Sequence, residues 1–122
     1  MADKRKVLIV DDNQLNLMVA SAAVENLGFA TEMCKSGKEA AEKAITNNYF
    51  FILMDCMMPE MDGYATTRKI RETEKEKNLI IALTGADEKE EIDACFAAGM
   101  NDYIKKPISL DSLKNILAKH KK

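Results

Sequence analysis

The stretch Phe50-Phe51-Ile52-Leu53-Met54-Asp55 decides the fold, because five apolar residues run directly into an acid and a loop marked by Pro and Gly (56–63) follows at once. A short, unbroken apolar run that ends in a turn indicates a strand buried on both faces, as in a parallel sheet. An ionised carboxylate is costly inside such a sheet, so Asp55 is predicted at the carboxyl end of the strand. Open α/β sheets bind their ligands at that edge.

The composition is that of an ordinary soluble globular chain. Of 122 residues, 47% are apolar and 31% are charged, with a net charge of -2, which is consistent with one domain that buries a real core. This charge gives no support for binding nucleic acid or an anionic membrane. No apolar run approaches the roughly 18 residues of a membrane span, and the one at 7–10 is too short for a secretory signal. We therefore expect a cytoplasmic protein.

The cysteines and the single histidine carry no predicted chemistry. Cys34, Cys56 and Cys95 are far apart and include no Cys-x-x-Cys pair, which is neither a disulfide framework nor a zinc signature. We expect reduced thiols packed in the core. His120 lies in a Lys-rich tail without a sequence neighbour that would make it a base or a ligand.

Strands and helices alternate five times. Strands are predicted at 6–10, 30–34, 50–55, 79–83 and 101–105, and helices at 14–27, from 36, at 64–74, from 87 and from 109. With short connections, this pattern predicts an α/β fold with a five-stranded parallel sheet covered by helices on both faces. The strand order 2-1-3-4-5, which is the flavodoxin-like order, is expected. The chain has no internal repeat or linker, so 1–122 is predicted to be a single domain with its core at about 6–118.

Helix ends and inward faces follow from local signals. Gly28 is predicted to end the first helix, and Pro107 to break the last strand. Capping residues are predicted at three helix starts: Ser36 with Glu39, Asp87 with Glu90, and Ser109. The side chains predicted to face inward are Ala41, Ala44 and Ile45 in the second helix, Ile92, Cys95 and Phe96 in the fourth, and Leu110, Leu113, Ile116 and Leu117 in the fifth.

Polar side chains stand where four of the strands end. Asp11 and Asp12 follow the first strand, Asp55 ends the third, Thr84 follows the fourth and Lys106 the fifth. Strands one and three are neighbours in the expected order, so the three carboxylates would share a pocket. Two like charges about 4 Å apart repel by roughly 4 kcal/mol at an effective dielectric near 20, so either one acid holds a proton or a cation lies between them. An all-oxygen site with few protein ligands suits Mg²⁺, and with a lysine and a hydroxyl it has the parts for phosphoryl transfer onto an aspartate.

Each residue of this set also has a plainer interpretation. The Asp11-Asp12-Asn13 run can be a helix cap, Asp55 a loop acid, Thr84 a turn residue and Lys106 a solvated charge. The coincidence of all of them at consecutive strand ends favours the functional interpretation.

The chain resembles the receiver domains of two-component response regulators from Val7 to about Leu117. Any one of the shared motifs is weak, but all four in order at this spacing are highly specific. They are Val10-Asp11-Asp12-Asn13, Met54-Asp55 with Met58-Pro59-Glu60-Met61-Asp62-Gly63, Ala82-Leu83-Thr84, and Lys105-Lys106-Pro107-Ile108.

The resemblance implies a function for the acidic cluster. Asp55 would be the phosphoacceptor, Asp12 a direct Mg²⁺ ligand and Asp11 a residue that acts mainly through a metal-bound water. The backbone carbonyl of Met57 would complete the protein ligands, and Lys106 would pair with a phosphoryl oxygen. The domain would accept a phosphoryl group from a partner phosphohistidine, assisting the transfer and its own later dephosphorylation rather than acting as an enzyme.

The resemblance also implies a switch. Thr84 would bond a phosphoryl oxygen, and Tyr103 matches the family's aromatic switch residue, although it can equally be a half-buried strand aromatic that never moves. Met57 and Ala86, two residues after Asp55 and Thr84, are apolar and cannot orient an attacking water, so slow self-dephosphorylation is expected.

The details resemble receivers of hybrid sensor histidine kinases. The features similar to those receivers are Asp11-Asp12-Asn13 with Asn16, and Met58 to Gly63 followed by Tyr64. The implied partners are a histidine kinase, a histidine phosphotransfer domain or both, with a downstream target protein also possible; a free-standing receiver and an excised one both fit.

The first predicted helix carries no charge from 14 to 24, and apolar side chains occupy nearly all of its sides. A surface helix normally has a charged outer face. Part of this helix is therefore a candidate docking patch for a partner helix bundle, and heavy packing by neighbouring loops is the alternative.

Three other functions fit the sequence less well. A phosphatase of the haloacid dehalogenase kind places a second acid two residues after its nucleophile, where Met57 stands, and expects a cap domain. A flavin or nucleotide module would want a phosphate-cradling loop after the first strand, where Asp11 and Asp12 repel an anion. A degenerate receiver that signals only by docking conflicts with the intact set of five polar residues.

Overall fold

The computed structural model describes residues 6–74, 77–85 and 88–120. Within them, five strands alternate with five helices. The elements are β1 (Lys6–Val10), α1 (Gln14–Asn26), β2 (Ala30–Cys34), α2 (Gly37–Thr46), β3 (Phe51–Asp55), α3 (Gly63–Thr73), β4 (Ile80–Thr84), α4 (Lys89–Ala98), β5 (Asp102–Lys105) and α5 (Leu110–Lys119).

All strand pairs are parallel, and the order across the sheet is β2-β1-β3-β4-β5. The predicted fold class, strand order and connectivity are confirmed. No helix among the described residues has both the length and the apolar character that crossing a membrane requires.

The unbroken apolar runs of β1, β3 and β4 are explained by burial on both faces of the sheet. Alternate side chains of β3 enter different apolar clusters: Phe51 and Leu53 pack with residues of α1 and α5, whereas Ile52 and Met54 pack with residues of α2, α3 and α4. Every residue of β3 is buried, including Asp55 at its carboxyl end. Two helices therefore cover one face of the sheet and three cover the other.

Four of the helices begin at a polar N-cap residue, whose side-chain oxygen accepts a hydrogen bond from the backbone N–H three residues later. Asn13, Ser36, Asp62 and Ser109 are these N-caps. A reciprocal capping box forms between Ser109 and Ser112, whereas at α2 only the bond from the Glu39 N–H to Ser36 is present among the described residues.

The fourth helix begins differently from the prediction. Its N-cap is Glu88, whose side chain makes no capping bond to any residue that the structure describes. The predicted cap residue Asp87 lies outside the described residues.

Three side chains that were predicted to face inward are instead exposed. They are Ile45, Phe96 and Leu110, with exposed fractions of 44%, 47% and 36%. The buried stripe of each helix is narrower than the apolar pattern: α2 buries Ala40, Ala41 and Ala44, and α4 buries Cys95 and Ala98. The small buried side chains let these helices pack close to the sheet. The larger side chains of Ile45 and Phe96, which follow Ala44 and Cys95 in the sequence, therefore point away from the sheet and remain exposed to solvent.

The loop after β3 folds back onto the strand end. The backbone N–H of Gly63 donates to the carbonyl oxygen of Cys56 at 3.0 Å. A Cβ atom at Gly63 would collide with the backbone oxygen of Asp55, so only glycine permits this approach. Glu60 adopts a positive φ of 67° within the loop, and the Lys106–Pro107 peptide bond after β5 is cis. The Gly63 contacts hold the loop after β3 against the carboxyl edge of the sheet.

The C-terminal end of α5 is joined to β5 by ionic contacts. The buried Asp102 carboxylate lies 2.9 Å from Nε2 of His120 and 3.2 Å from Nζ of Lys119, and it accepts the backbone N–H of Tyr103. Burial alone would raise the pKa of Asp102, but these hydrogen bonds outweigh it and lower that pKa. His120 has no such partner nearby in the sequence, and it contacts Asp102 because the fold brings β5 and α5 together.

At the opposite edge of the sheet, Arg71 connects α3 to the ends of two other elements. Its guanidinium donates to the carbonyl oxygens of Gly99 and Asn78, to Oδ1 of Asn101 and to both carboxylate oxygens of Glu74, all within 3.1 Å. Side-chain exposure is 16% for Arg71 and 9% for Glu74. This network fixes the C-terminal end of α4 relative to α3.

We predict that Arg71→Ala lowers the free energy of unfolding by about 3 kcal/mol, because it removes the cation paired with the largely buried Glu74 carboxylate and the donor to the carbonyl oxygens of Gly99 and Asn78. Urea denaturation measures the change. Lys89→Ala is the matched control, since it breaks the Lys89–Asp93 pair, whose side chains are 87% and 63% exposed, and should cost less than about 0.5 kcal/mol. Equal effects of the two substitutions would contradict the structural importance of the network.

Candidate functional site

The carboxyl edge of the sheet brings the polar residues predicted from the sequence into one place. Asp11 follows β1 and Asp55 ends β3, which are neighbouring strands, while Thr84 ends β4 and Lys106 follows β5. All four are drawn together because parallel strands present their carboxyl ends on one edge. Asp12 joins them from the exposed side of the β1–α1 connection.

The Lys106 ammonium group bridges two of the acids. Its Nζ atom donates to Oδ1 of Asp55 at 3.0 Å and lies 3.2 Å from Oδ2 of Asp11. The backbone N–H of Lys106 donates to the carbonyl oxygen of Thr84 at 2.7 Å, which anchors the residue to the end of β4. The side chain is 27% exposed, so it reaches the site from the rim.

Three carboxylates lie close enough to bind one cation. One oxygen each from Asp11, Asp12 and Asp55 lies within 4.8 Å of the others. Asp11 and Asp55 are buried, with exposed fractions of 1% and 4%, whereas Asp12 is exposed. The site is therefore a partly enclosed acidic pocket that opens to solvent on the Asp12 side.

The positive charge of Lys106 does not balance this pocket. Burial raises the pKa of Asp55 and the nearby Asp11 charge raises it further, while the hydrogen bond from Lys106 opposes both and is outweighed. Burial alone would lower the pKa of Lys106, but its bonds to the two acids raise it. With all groups ionised, three carboxylates and one ammonium leave two negative charges, which is the charge that a divalent cation neutralises.

One buried oxygen indicates where a cation would bind. Oδ1 of Asp11 accepts the backbone N–H of Asn13 at 3.0 Å. Within the described part of the chain, the buried Oδ2 has an ion pair with Nζ of Lys106 at 3.2 Å but no well-aligned hydrogen-bond donor. A buried carboxylate oxygen without a donor is costly. Its lone pairs, beside the oxygens of Asp12 and Asp55, fit a hard cation that prefers oxygen ligands and retains several waters.

The remaining predicted residues surround this pocket. The backbone N–H of Met57 is 3.4 Å from Oδ1 of Asp55, so its peptide lies beside the carboxylate, and the residue itself is 73% exposed. Thr84 is 4% exposed at the end of β4. Tyr103 is half-buried on β5 and packs against the cluster formed with α2, α3 and α4. Ala86 lies outside the described residues.

Two features beside the site were not predicted from the sequence. A cleft of about 430 Å³ between α1 and the loop after β5 opens onto Asp11 and Lys106, with Leu15, Val19 and Ile108 among its walls. The second feature is a contact between two cysteine thiols directly behind Asp55. The sequence places Cys56 directly after a strand and Cys95 on a predicted inward face of a helix. It does not show that the two residues are in contact.

A family model described as the response regulator receiver domain matches residues 7–118. Among curated proteins, hybrid signal transduction histidine kinase L of Dictyostelium discoideum is 40% identical over 124 residues, which covers 96% of this chain. The chain spans about 7% of the length of that relative.

Solved structures of the same kind share the fold. The receiver domain of the sensor histidine kinase PA1611 from Pseudomonas aeruginosa, with a magnesium ion coordinated in its active site cleft, has a TM-score of 0.87 and 36% identity, covering 96% of this chain and 97% of its own. The receiver domain of the histidine kinase CKI1 from Arabidopsis thaliana, complexed with Mg²⁺ and BeF₃⁻, has a TM-score of 0.85 and 36% identity, covering 94% and 88%.

We predict that Mg²⁺ stabilises the folded protein, because a ligand that binds only the native state adds about 2.7 kcal/mol at 100 times its Kd. The midpoint of urea denaturation should rise with Mg²⁺ concentration. Asp12→Ala should remove most of that rise, whereas Asp93→Ala, which removes an exposed acid on α4, should leave it intact. An unchanged Mg²⁺ response in Asp12→Ala would place the metal elsewhere.

Proposed function

Since the chain belongs to the response regulator receiver domain family, we propose that it is a phosphoacceptor in a His-to-Asp phosphorelay and that Asp55 receives the phosphoryl group. The observation that supports this assignment most strongly is the pairing of Asp55 with Lys106 inside a pocket of three carboxylates. Asp55 is the acid that lies at the end of the central strand. Residues 1–122 would form one receiver domain, with its core at about 6–118.

The proposed reaction begins with attack by an Asp55 carboxylate oxygen on the phosphorus of a partner phosphohistidine. The P–N bond breaks as the P–O bond forms, and the imidazole leaves with a proton from solvent. Asp11, Asp12, Asp55 and the backbone carbonyl of Met57 would hold Mg²⁺, which supplies charge neutralisation for the approach of two anions. The acyl phosphate is later lost to water, which resets the domain.

Lys106 would change partners during this reaction. It is paired with Asp55 in the unphosphorylated protein, and the phosphoryl oxygens offer a stronger anion in the same place. Because Lys106 is fixed through its backbone to β4, its ammonium would stabilise the charge that spreads over the equatorial oxygens without further reorganisation. These residues assist the domain's own phosphorylation and dephosphorylation, and the protein is proposed as a signalling phosphoacceptor rather than an enzyme.

The phosphoryl group would be detected by Thr84 and Tyr103. Thr84 lies at the end of β4, next to Lys105 of β5 in the sheet register, so a displacement of Thr84 toward the phosphoryl group reaches the strand that carries Tyr103. Tyr103 is half-buried, and the displacement of Thr84 would open space for its ring to turn from solvent toward the core. To change the ratio of the active to the inactive conformation from 1:99 to 99:1, the phosphoryl group would have to stabilise the active conformation by about 5.5 kcal/mol relative to the inactive one.

The exposed side of α1 is the proposed docking patch for a histidine phosphotransfer domain or kinase. The structure divides the uncharged part of this helix, residues 14–24: Leu17, Ala20 and Val24 are buried, whereas Leu15, Met18 and Val19 are 66%, 55% and 45% exposed. Of these exposed side chains, Leu15 and Val19 border the cleft that opens onto Lys106. An apolar partner helix seated here would bring its histidine to the acidic pocket. A cytoplasmic location fits such partners, with no role proposed for nucleic acid or membrane.

The structure weakens the competing functions. An aspartyl phosphatase of the haloacid dehalogenase kind would need an acid at Met57, whose apolar side chain is 73% exposed beside the pocket. A flavin or nucleotide module would bind an anion where the unbalanced acidic charge of Asp11 and Asp12 repels it.

We predict that acetyl phosphate with Mg²⁺ adds one phosphoryl group to the protein, giving a mass gain that is stable in acid and labile in base. Asp55→Asn should abolish the gain, because the amide cannot form an acyl phosphate. Intact-protein mass spectrometry checks this result, and Asp93→Asn is the control on a solvent-exposed acid.

After removal of the phosphodonor, the modification should decay over minutes or longer, as the apolar Met57 cannot position an attacking water. Phosphorylation of the Asp55→Asn protein would refute the assignment of Asp55 as the phosphoacceptor. Loss of the phosphoryl group within seconds would refute the prediction of slow self-dephosphorylation.

We also predict that Leu15→Glu slows phosphotransfer from a phosphorylated histidine phosphotransfer domain by about tenfold, the effect of losing roughly 1.4 kcal/mol at an interface. Transfer from acetyl phosphate should not change, because this small donor needs no docking surface. Met33→Glu, an apolar residue on β2 that is 44% exposed, is the matched control. An equal loss with both donors would show damage to the site instead of docking.

A further inference from the structure

Two buried thiols meet directly behind the acidic pocket. The Sγ atoms of Cys56 and Cys95 are 3.7 Å apart, each residue is 1% exposed, and neither is in a disulfide. Cys56 immediately follows Asp55 at the end of β3, and Cys95 is on the inward side of α4. They are 39 positions apart in the sequence, so a covalent bond here would join distant parts of the chain.

The two thiols are held in contact by the fold around them. The backbone N–H of Cys56 donates to the carbonyl oxygen of Leu83 at 3.2 Å, and its carbonyl oxygen accepts from Gly63. On the other side, the C-terminal end of α4 is fixed by the bond from Arg71 to the carbonyl oxygen of Gly99. A disulfide has a sulfur–sulfur distance of about 2.05 Å, so each sulfur needs to move by less than about 1 Å.

We propose that Cys56 and Cys95 form a reversible redox site, in which a hydroperoxide joins them in a disulfide that ties α4 to the residue after the phosphoacceptor. The hydroperoxide first transfers an oxygen to one thiol, giving a sulfenic acid and releasing water or an alcohol. The second sulfur then attacks the sulfenic sulfur, the S–S bond forms as the S–O bond breaks, and water leaves. Two electrons pass from the thiols to the peroxide, and a dithiol reductant reverses the change.

The cross-link would act on the acidic pocket through the backbone. Cys56 lies between Asp55 and Met57, and its carbonyl oxygen closes the loop at Gly63. Drawing the Cys56 sulfur toward α4 shifts this segment, and a misplacement of about 1 Å at a reacting centre costs up to about 100-fold in rate. The effect on phosphorylation rests on the proposed function, whereas formation of the disulfide does not.

The first measurement is the covalent bond. The folded protein is treated with hydrogen peroxide, then unfolded and alkylated without reductant. We expect a loss of about 2 Da from the monomer, for the two thiol hydrogens, one alkylated thiol at Cys34, and a cross-linked peptide pair containing Cys56 and Cys95. The reaction should be slow because both thiols are buried.

Cys34→Ala should retain the cross-link, and Cys95→Ala should lose it. A disulfide that involves Cys34, one that joins two chains, or one that forms only in urea would overturn the proposal.

The second measurement is the rate of phosphorylation by acetyl phosphate before and after oxidation. We expect the oxidised protein to react about tenfold more slowly, with recovery after dithiothreitol, and Cys95→Ala to react at the same rate under both conditions. A cross-linked protein that is phosphorylated at the original rate would overturn the regulatory role. If the reduced protein is not phosphorylated at all, the phosphoacceptor assignment fails, while the mass measurement still decides the redox site.

Discussion

Mutual repulsion among three carboxylates is the constraint on which the rest of the structure depends. Asp11, Asp12 and Asp55 converge within 4.8 Å, and the first and last of them are buried. Such an arrangement destabilises the ionised protein unless positive charge compensates it. Lys106 supplies part of that charge, and a divalent cation would supply the remainder. The carboxylates therefore favour binding of a metal ion, and we propose that the metal and Lys106 together would then attract an anion.

The fold can carry this local cost because the sheet around it is apolar and close-packed. β1, β3 and β4 are almost completely buried, and polar groups are confined to their ends. Gly63 lets the loop after β3 press against the backbone of Asp55, and the bond between Lys106 N–H and the carbonyl oxygen of Thr84 fixes the backbone of Lys106 to the end of β4. Asp55 thus projects from a fully buried strand, whereas Asp11, Asp12 and Lys106 lie in the connections that follow β1 and β5.

Much of this could be predicted from the sequence because the relevant signals are local. An unbroken apolar run followed by Asp55 predicts both the central strand and the edge of the sheet where the three carboxylates converge, and alternation of strands with helices predicts the topology. The errors concern features that depend on distant packing. Ile45, Phe96 and Leu110 fit apolar patterns but lie outside the buried stripes. The Asp102–His120 contact and the Cys56–Cys95 contact join residues 18 and 39 positions apart, so no local pattern shows them. In α1, the sequence predicted an unusual apolar surface, but only the structure separates the buried Leu17 from the exposed Leu15.

The most direct test of the central claim is to locate a divalent cation in a crystal of the protein. Mn²⁺, which shares the oxygen-ligand preference of Mg²⁺, gives an anomalous difference peak that identifies the ion independently of the protein density. The account predicts one strong peak at the carboxyl edge of the sheet, about 2.0–2.3 Å from oxygens of Asp12 and Asp55, with Asp11 in contact directly or through a bound water. A peak elsewhere, or no peak at saturating Mn²⁺ with all three carboxylates ordered, would contradict the account.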